Sequence, residues 1–261
     1  MIPESAILQW ANTVPWNSNE QVEQDLIICR ALVEIFNDEY LASHLAFRGG
    51  TAFKLYLHPQ PRYSEDIDLV QIKSEPIKDT IVRLSEVLSW LGKPVVIQKA
   101  NNNTLVFRFS SEIAPVLPIR LKVEINCREH FSVLGLTKKE FTVNSRWYSC
   151  NCQITTYQLD ELLGTKLRAL YQRRKGRDLF DLYKALNNSD VNAGNIIKCY
   201  REYMNFVVDK LPTQKEFLLN MEAKIADNEF LGDTKSLLRR DVIYNPQEAY
   251  ELVKARLIEK L

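Results

Sequence analysis

The sequence lacks an excess charge of either sign. Across 261 residues, 34 lysines and arginines stand against 33 aspartates and glutamates. A chain-wide field that would draw in a polyanion is thereby excluded, and any such attraction has to come from local clustering. Metal and redox spacings are missing too. The five cysteines are odd in number, no pair has C-x-x-C spacing, and Cys150-Asn151-Cys152 is too tight for a zinc half-site. The three histidines, His44, His58 and His130, are scattered. Reduced cytosolic thiols are the economical expectation. No basic-then-apolar signal opens the chain and no apolar run approaches membrane length, so a soluble cytoplasmic protein is expected, with no membrane partner. With 46% apolar and 26% charged residues, the composition is that of an ordinary globular protein. Its length suffices for one large domain or two lobes.

What is present centres on Phe47 to Val70, FRGGTAFKLYLHPQPRYSEDIDLV. Gly49-Gly50-Thr51 is a side-chain-poor corner opening into a helix-competent run. A Pro-rich polar connector, His58 to Ser64, follows. Asp66-Ile67-Asp68 then continues into Leu69 and Val70 as a short buried strand. Side chains two apart on a strand share a face, so Asp66 and Asp68 project two carboxylates to one side. Like charges held that close repel unless a cation lies between them. Oxygen-only ligation suits Mg2+ or Mn2+, the companions of nucleotide phosphates.

The rest of the chain reads as alternating helical and strand material. Trp10, Pro15 and Trp16 mark a lead-in. Ser18-Asn19-Glu20 offers a cap for a helix from Val22 through Phe36 that packs behind the carboxylate strand. Leu41 to Phe47 leads into the Gly-Gly corner. Ile77 to Leu91 is an amphipathic helix stopped by Gly92-Lys93-Pro94. Strand material starts at Pro94–Ile97 and turns at Asn101–Asn103 into Thr104–Ser110 as a hairpin. In Ile119–Asn126, Ile119, Leu121, Val123 and Ile125 alternate with Arg120, Lys122, Glu124 and Asn126. Further strand-like stretches are Glu140–Val143 and Trp147–Ile154. At Thr155-Thr156 the pattern turns helical and stays so, which sets a lobe boundary there: residues 1–155, then 156–261.

A second dense stretch is Leu162 to Leu182, LLGTKLRALYQRRKGRDLFDL. On one continuous helix, Lys166, Arg173, Arg177 and Asp181 fall within an arc of about 80°, with Asp178 at its margin. Gly176 is a place for a bend. Solvated pairs of Arg174 with Asp178 and Arg177 with Asp181 are the plain structural alternative.

The Gly-Gly-Thr corner followed by D-x-D resembles the nucleotidyltransferase superfamily related to DNA polymerase beta. The longer string GGTAF…R-x-S-E-D-I-D-L is similar to a narrower group, the AbiEii/AbiGii-type nucleotidyltransferase toxins of bacteria. K-x-x-A-x-x-x-R-x-x-x-R-D-x-x-D, met by Lys166, Ala169, Arg173, Arg177, Asp178 and Asp181, matches that group's C-terminal signature. Phe53 stands where its GGTAL form has Leu. The resemblance implies an α+β fold: a polymerase-beta-type core, a mixed twisted sheet with helices, followed by a mainly helical lobe that completes the active-site cleft. It also implies a third carboxylate from a neighbouring strand, for which Glu124 is the acid in position, though the superfamily often has Asp there.

The expected chemistry is transfer of a nucleotide from a nucleoside triphosphate. Asp66, Asp68 and Glu124 would hold the metal. Gly49, Gly50 and Thr51 would approach the triphosphate, with Arg62 and Ser64 beside it. Lys166, Arg173 and Arg177 would cover its outer phosphates, and Glu124 or Asp178 would be the base. As a toxin of this kind, of a type IV or related toxin–antitoxin pair, the protein would modify RNA at the tRNA acceptor end and answer to a cognate antitoxin. A protein hydroxyl as acceptor, or a catalytically inactive nucleotide- or RNA-binding module, are the alternatives.

Overall fold

A computed structural model describes residues 2–14, 16–188 and 190–261; Pro15 of the lead-in lies outside them. The chain divides into two compact units. One is Met1–Ser132 with Leu136–Tyr157, the other Val133–Gly135 with Gln158–Leu261.

The first unit is built on a single sheet. Its elements in order are α1 (Glu4–Trp10), α2 (Asn19–Asn37), α3 (Glu39–His44), β1 (Leu45–Arg48), a 3-10 turn (Thr51–Leu55), β2 (Asp66–Gln71), α4 (Lys78–Val87), β3 (Val95–Lys99), β4 (Asn102–Ser110), β5 (Pro118–Asn126), β6 (Leu136–Asn144) and β7 (Ser149–Tyr157). The strand order is β3-β4-β5-β2-β1-β7-β6. β2 runs parallel to β5 and β1 parallel to β7, while β1–β2 and the two outer hairpins are antiparallel. This is the mixed sheet of an α+β protein.

Alternation accounts for these strands. Ile67 and Leu69 of β2, Leu121, Val123 and Ile125 of β5, and Leu105 and Phe107 of β4 are all buried, while Asp66, Asp68, Lys122, Glu124 and Arg108 alternate with them. α2 lies across β2, β5, β6 and β7, with Leu26, Ile28, Leu32 and Ile35 fully buried. Gln24 on this helix donates from Nε2 to the carbonyls of Glu65 and Arg120, both at 3.1 Å, and so ties the entry of β2 to β5. Ser18 is the N-cap residue of α2, yet its side chain makes no capping bond.

Leu41 to Phe47 leads into the Gly-Gly corner through the end of α3 at His44 and β1, which follows at once. Two expectations need correcting here. The run after Gly50 closes as a five-residue 3-10 turn rather than an α-helix. The helical pattern begins at Leu159 rather than at Thr155-Thr156, which lie in β7, where Thr156 pairs with Phe47 and donates its hydroxyl to the Phe47 carbonyl at 2.7 Å.

The second unit is helical: α5 (Leu159–Gln172), α6 (Gly176–Asn188), α7 (Ala193–Asn205), α8 (Gln214–Ile225), α9 (Asn228–Gly232) and α10 (Pro246–Arg256). Val133–Gly135 belongs to it because the buried Glu161 carboxylate accepts the amide N–H groups of Val133 (2.8 Å) and Leu134 (2.9 Å) and the Tyr203 hydroxyl (2.7 Å). The stretch from Leu162 to Leu182 is not one helix. The ammonium of Lys224 on α8 donates to the Leu170 and Tyr171 carbonyls, which are among the C-terminal acceptors that a helix leaves unmet. α5 stops at Gln172, and the chain restarts as α6 at Gly176 after three intervening residues. Burial pushes this Lys224 down to about 8. Among the described residues, no helix is long and apolar enough to cross a membrane.

Candidate active site

The strand registers set the polar face of the sheet in rows. Residues paired across strands share a face, so Arg48 on β1, Asp68 on β2, Glu124 on β5 and Thr104 on β4 form one row. Asp66, Lys122 and Val106 form the row before it, and Val70, Asn126 and Asn102 the row after. With strands about 4.8 Å apart, Asp68 and Glu124 are immediate neighbours, and Asp66 is one pleat away from Asp68. Three carboxylates thus crowd one patch with a lysine and an arginine at its borders. Burial pushes the Asp66 carboxyl up to about 6, with Lys122 opposing the shift and the charges of Asp68, Glu65 and Glu124 adding to it. Among the described residues, Glu124 accepts no hydrogen bond.

The Gly-Gly corner packs directly on this patch. Gly49 has a φ of 79°, and a Cβ there would lie 1.8 Å from Asp68 Oδ2. A side chain at Gly50 would meet Arg62 Nη2 at 2.7 Å and Ser64 Oγ at 3.1 Å. Arg62 is buried and donates from Nη1 to the Tyr63 carbonyl at 2.9 Å. The Thr51 hydroxyl lies 2.8 Å from Ser64 Oγ and within 2.5 Å of the Asp66 carbonyl. It is buried and fastens the corner to the start of β2. The side-chain hydroxyl expected to face a triphosphate is turned inward instead.

Next to this patch is a polar pocket of about 300 Å³ whose lining includes Arg48, Asp68, Glu124, Asn126, Arg128 and Glu129. Arg48, Glu129, Arg128 and the asparagines were not anticipated from the sequence. Arg48 Nη1 donates to the nearly buried Glu129 carboxylate at 2.5 Å. Burial works against the Arg48 charge, but Glu129, Tyr157 and Asp68 hold it firmly protonated. Asn126 Oδ1 accepts the Arg128 amide (3.1 Å) and the Glu129 amide (2.8 Å), which fixes the turn carrying both residues. No local signal marks Arg48: Leu45, Ala46 and Phe47 are all buried without alternation, and only the pairing of β1 with β2 puts Arg48 on the face of Asp68. A larger groove, about 670 Å³ and lined by Asp38, Tyr40, Asp79, Arg83 and Glu86, holds none of the motif residues.

In the helical unit, Lys166, Arg173, Asp178 and Asp181 come together. Lys166 Nζ lies 2.9 Å from Asp178 Oδ1 and 3.0 Å from Asp181 Oδ2. Arg173 grips Asp178 with two bonds, at 2.7 and 2.8 Å. Burial alone would raise Asp178, but Lys166 and Arg173 hold it well below the usual carboxylate range. Arg177 is drawn off to Asp233 at 3.6 Å and Arg174 to Asp227 at 3.1 Å. The helical pairs Arg174–Asp178 and Arg177–Asp181 are therefore not the ones formed, and Arg177 does not join the Lys166 cluster. Asp178 and Asp181 are taken by Lys166 and Arg173 instead, and the break between α5 and α6 removes Arg177 from the helix face of Lys166.

Among the described residues, no three ligating side chains converge on one point as a closed metal cage. The donor set nevertheless fits Mg2+ or Mn2+, which are held by one or two carboxylates together with water and substrate phosphate rather than by an all-protein cage. Burial is the main cause of the raised Asp66 carboxyl, and the neighbouring carboxylate charges that add to it are what a bound cation would offset.

The fold is that of solved nucleotidyltransferase structures. MenT4, a nucleotidyltransferase toxin from Mycobacterium tuberculosis H37Rv, superposes with a TM-score of 0.68 at 14% identity, over 98% of this chain and 90% of that one. JHP933 from Helicobacter pylori gives 0.52 at 17% identity, over 93% of both chains. No curated protein sequence matches at a significant level. The family model "Nucleotidyl transferase AbiEii toxin, Type IV TA system" matches residues 30–251. The chain belongs to the AbiEii nucleotidyltransferase toxin family.

Proposed function

We propose that the protein transfers nucleotides from a nucleoside triphosphate to RNA, at the tRNA acceptor end, in a Mg2+-dependent reaction that blocks translation in the cytoplasm. A cognate antitoxin would restrain it, as family membership implies. The observation that carries this reading is the row Arg48–Asp68–Glu124 with Gly49 lying against Asp68 and Asp66 one pleat away. Phosphoryl chemistry of this kind is mostly positioning and charge neutralisation. Asp66, Asp68 and Glu124 would hold the Mg2+, which when bound neutralises developing charge on the phosphate oxygens. Gly49 and Gly50 leave room for the triphosphate beside the carboxylates. Arg62 and Ser64 hold the corner in shape, and Thr51 anchors it, a positioning role rather than the phosphate contact first expected.

For the proton of the attacking hydroxyl, Glu124 is the better base. It stands half-exposed on the polar face, while Asp178 is fully buried and held ionised by two cations. Such an anion has little tendency to take up a proton. Lys166, Arg173 and Arg177 are proposed as phosphate-binding cations. Each would have to share its present carboxylate partner with the incoming phosphates.

The test combines wild-type and Asp66→Ala protein with Mg2+, each labelled nucleoside triphosphate in turn, and total bacterial RNA. Label entering a tRNA-sized band with wild type alone is the expected result and names the nucleotide. Label in protein bands instead would make a protein hydroxyl the acceptor. Transfer that survives in Asp66→Ala would overturn the site.

A further inference from the structure

We propose that the pocket beside Asp68 and Glu124 receives the unpaired 3′-terminal nucleotide of the acceptor strand, with Arg48 and Arg128 taking its phosphodiester. The proposal rests on the reading of the protein as an RNA nucleotidyltransferase and goes further by naming where, and in what form, the acceptor binds.

The argument begins with which residues the pocket contains. Asp68 and Glu124 line it, whereas Gly49, Gly50, Arg62, Ser64 and Asp66 do not. The Gly-Gly corner occupies one flank of Asp68, against its Oδ2, and the pocket opens elsewhere on the same carboxylate. A triphosphate lying along the corner leaves the pocket free for the second substrate. Asp68 is shared by both places, and Glu124 is its cross-strand neighbour on the pocket side. Glu124, the better base, is on the pocket's lining.

The pocket chemistry then selects the acceptor. It is small, at about 300 Å³, the low end of ligand-pocket sizes. It has room for one extruded nucleotide and not for the end of a stacked duplex. Its walls are polar. Asn101 and Asn102 lie at its rim and make no side-chain hydrogen bond among the described residues. Carboxamides of this kind pair with the edges of unstacked bases. Arg48 has its Nη1 on Glu129, which orients the guanidinium, and among the described residues its other N–H groups donate to nothing. An oriented guanidinium with donors left over is built for an anion. Arg128, exposed on the turn that Asn126 fixes, adds a second cation. A protein hydroxyl as acceptor would bring no phosphate for these two arginines. A nucleic-acid strand end brings one next to its terminal hydroxyl.

Equilibrium binding of a short, 5′-labelled, unpaired oligoribonucleotide tests this, in Mg2+ without nucleoside triphosphate and across a salt series. Wild type should bind the single strand well and the same strand in a blunt duplex poorly. Arg128→Ala, at an exposed position, should lose about tenfold in affinity and flatten the log–log salt slope by about 0.7, the share of one phosphate contact on a single strand. The pair Arg48→Gln with Glu129→Gln, which keeps the buried pair neutral, should lose at least as much. Mg–nucleoside triphosphate affinity should stay within about twofold in Arg128→Ala.

Oligonucleotide binding unchanged in both variants would overturn the proposal. So would equal binding of the blunt duplex, a matching loss of triphosphate affinity, or label passing into protein by an enzyme that binds no oligonucleotide. A protein that binds the strand through Arg128 as described but never transfers a nucleotide would refute the transfer reaction and leave the acceptor pocket standing.

Discussion

Asp66 is the residue whose charge state governs the carboxylate patch. Folding raises its carboxyl to about 6 from an ordinary value near 4, so the folded protein favours its neutral form. That contribution to stability is fully present below about pH 4 and is lost as pH rises through about 6. In metal-free protein, Asp66→Asn should therefore raise the melting temperature at pH 8, with the gain shrinking to nothing as pH falls toward about 4. Thermal scans in chelator across that range check it; equal melting temperatures at pH 8 would refute the raised carboxyl. Since holding a cation requires the ionised form, activity should fall on the acid side near pH 6. Lys122, one strand over in the same row, opposes the shift. Lys122→Met should move the acid limb of the rate profile to higher pH.

At the scale of elements, the turn between β1 and β2 decides whether the site exists. Gly49 cannot accept a side chain for two reasons: its φ of 79° and the Asp68 carboxylate 1.8 Å from where a Cβ would be. Gly49→Ala should abolish transfer and lower stability by roughly 1–3 kcal/mol through backbone strain alone. Gly50 is different, since its nearest obstacle is the tip of the Arg62 side chain. Gly50→Ala should keep the melting temperature within a few degrees and raise the KM for triphosphate several-fold. Melting curves and steady-state kinetics on the two proteins separate the cases. The sequence reveals this corner, β2, β5 and the β3–β4 hairpin because alternation or glycine marks each of them locally. β1 is hidden because Leu45, Ala46 and Phe47 are all buried and show no alternation. β6 extends well beyond the Glu140–Val143 core because a largely exposed edge strand, rich in lysine and threonine, needs no apolar pattern. Arg48 and Glu129 lie 81 residues apart, and only the strand order brings them together. The break after Gln172 ends at Gly176, the place the sequence marks for a bend, while the Lys224 contact from α8 that meets the end of α5 is encoded by no local periodicity.

For the whole molecule, the division into two units means that loss of activity and loss of structure can be assigned to different halves. Lys166 is where the two are most easily confused. Two cations, Lys166 and Arg173, balance two buried carboxylates, Asp178 and Asp181. Removing Lys166 alone leaves a buried negative charge without compensation, at a cost of about 3–5 kcal/mol. Lys166→Ala should then lose amide protection across α5 and α6 while the sheet unit keeps its own, a pattern that hydrogen exchange reads directly. An inactive Lys166→Ala protein would thus say nothing about phosphate binding. Lys166→Met combined with Asp181→Asn removes one charge of each sign and restores the balance around Asp178. Its protection and melting temperature should return toward wild type. Transfer activity should not return with them if the ammonium binds phosphate, and that is the expected result. Recovery of activity together with stability would make Lys166 a structural counter-ion and leave substrate phosphates to other cations.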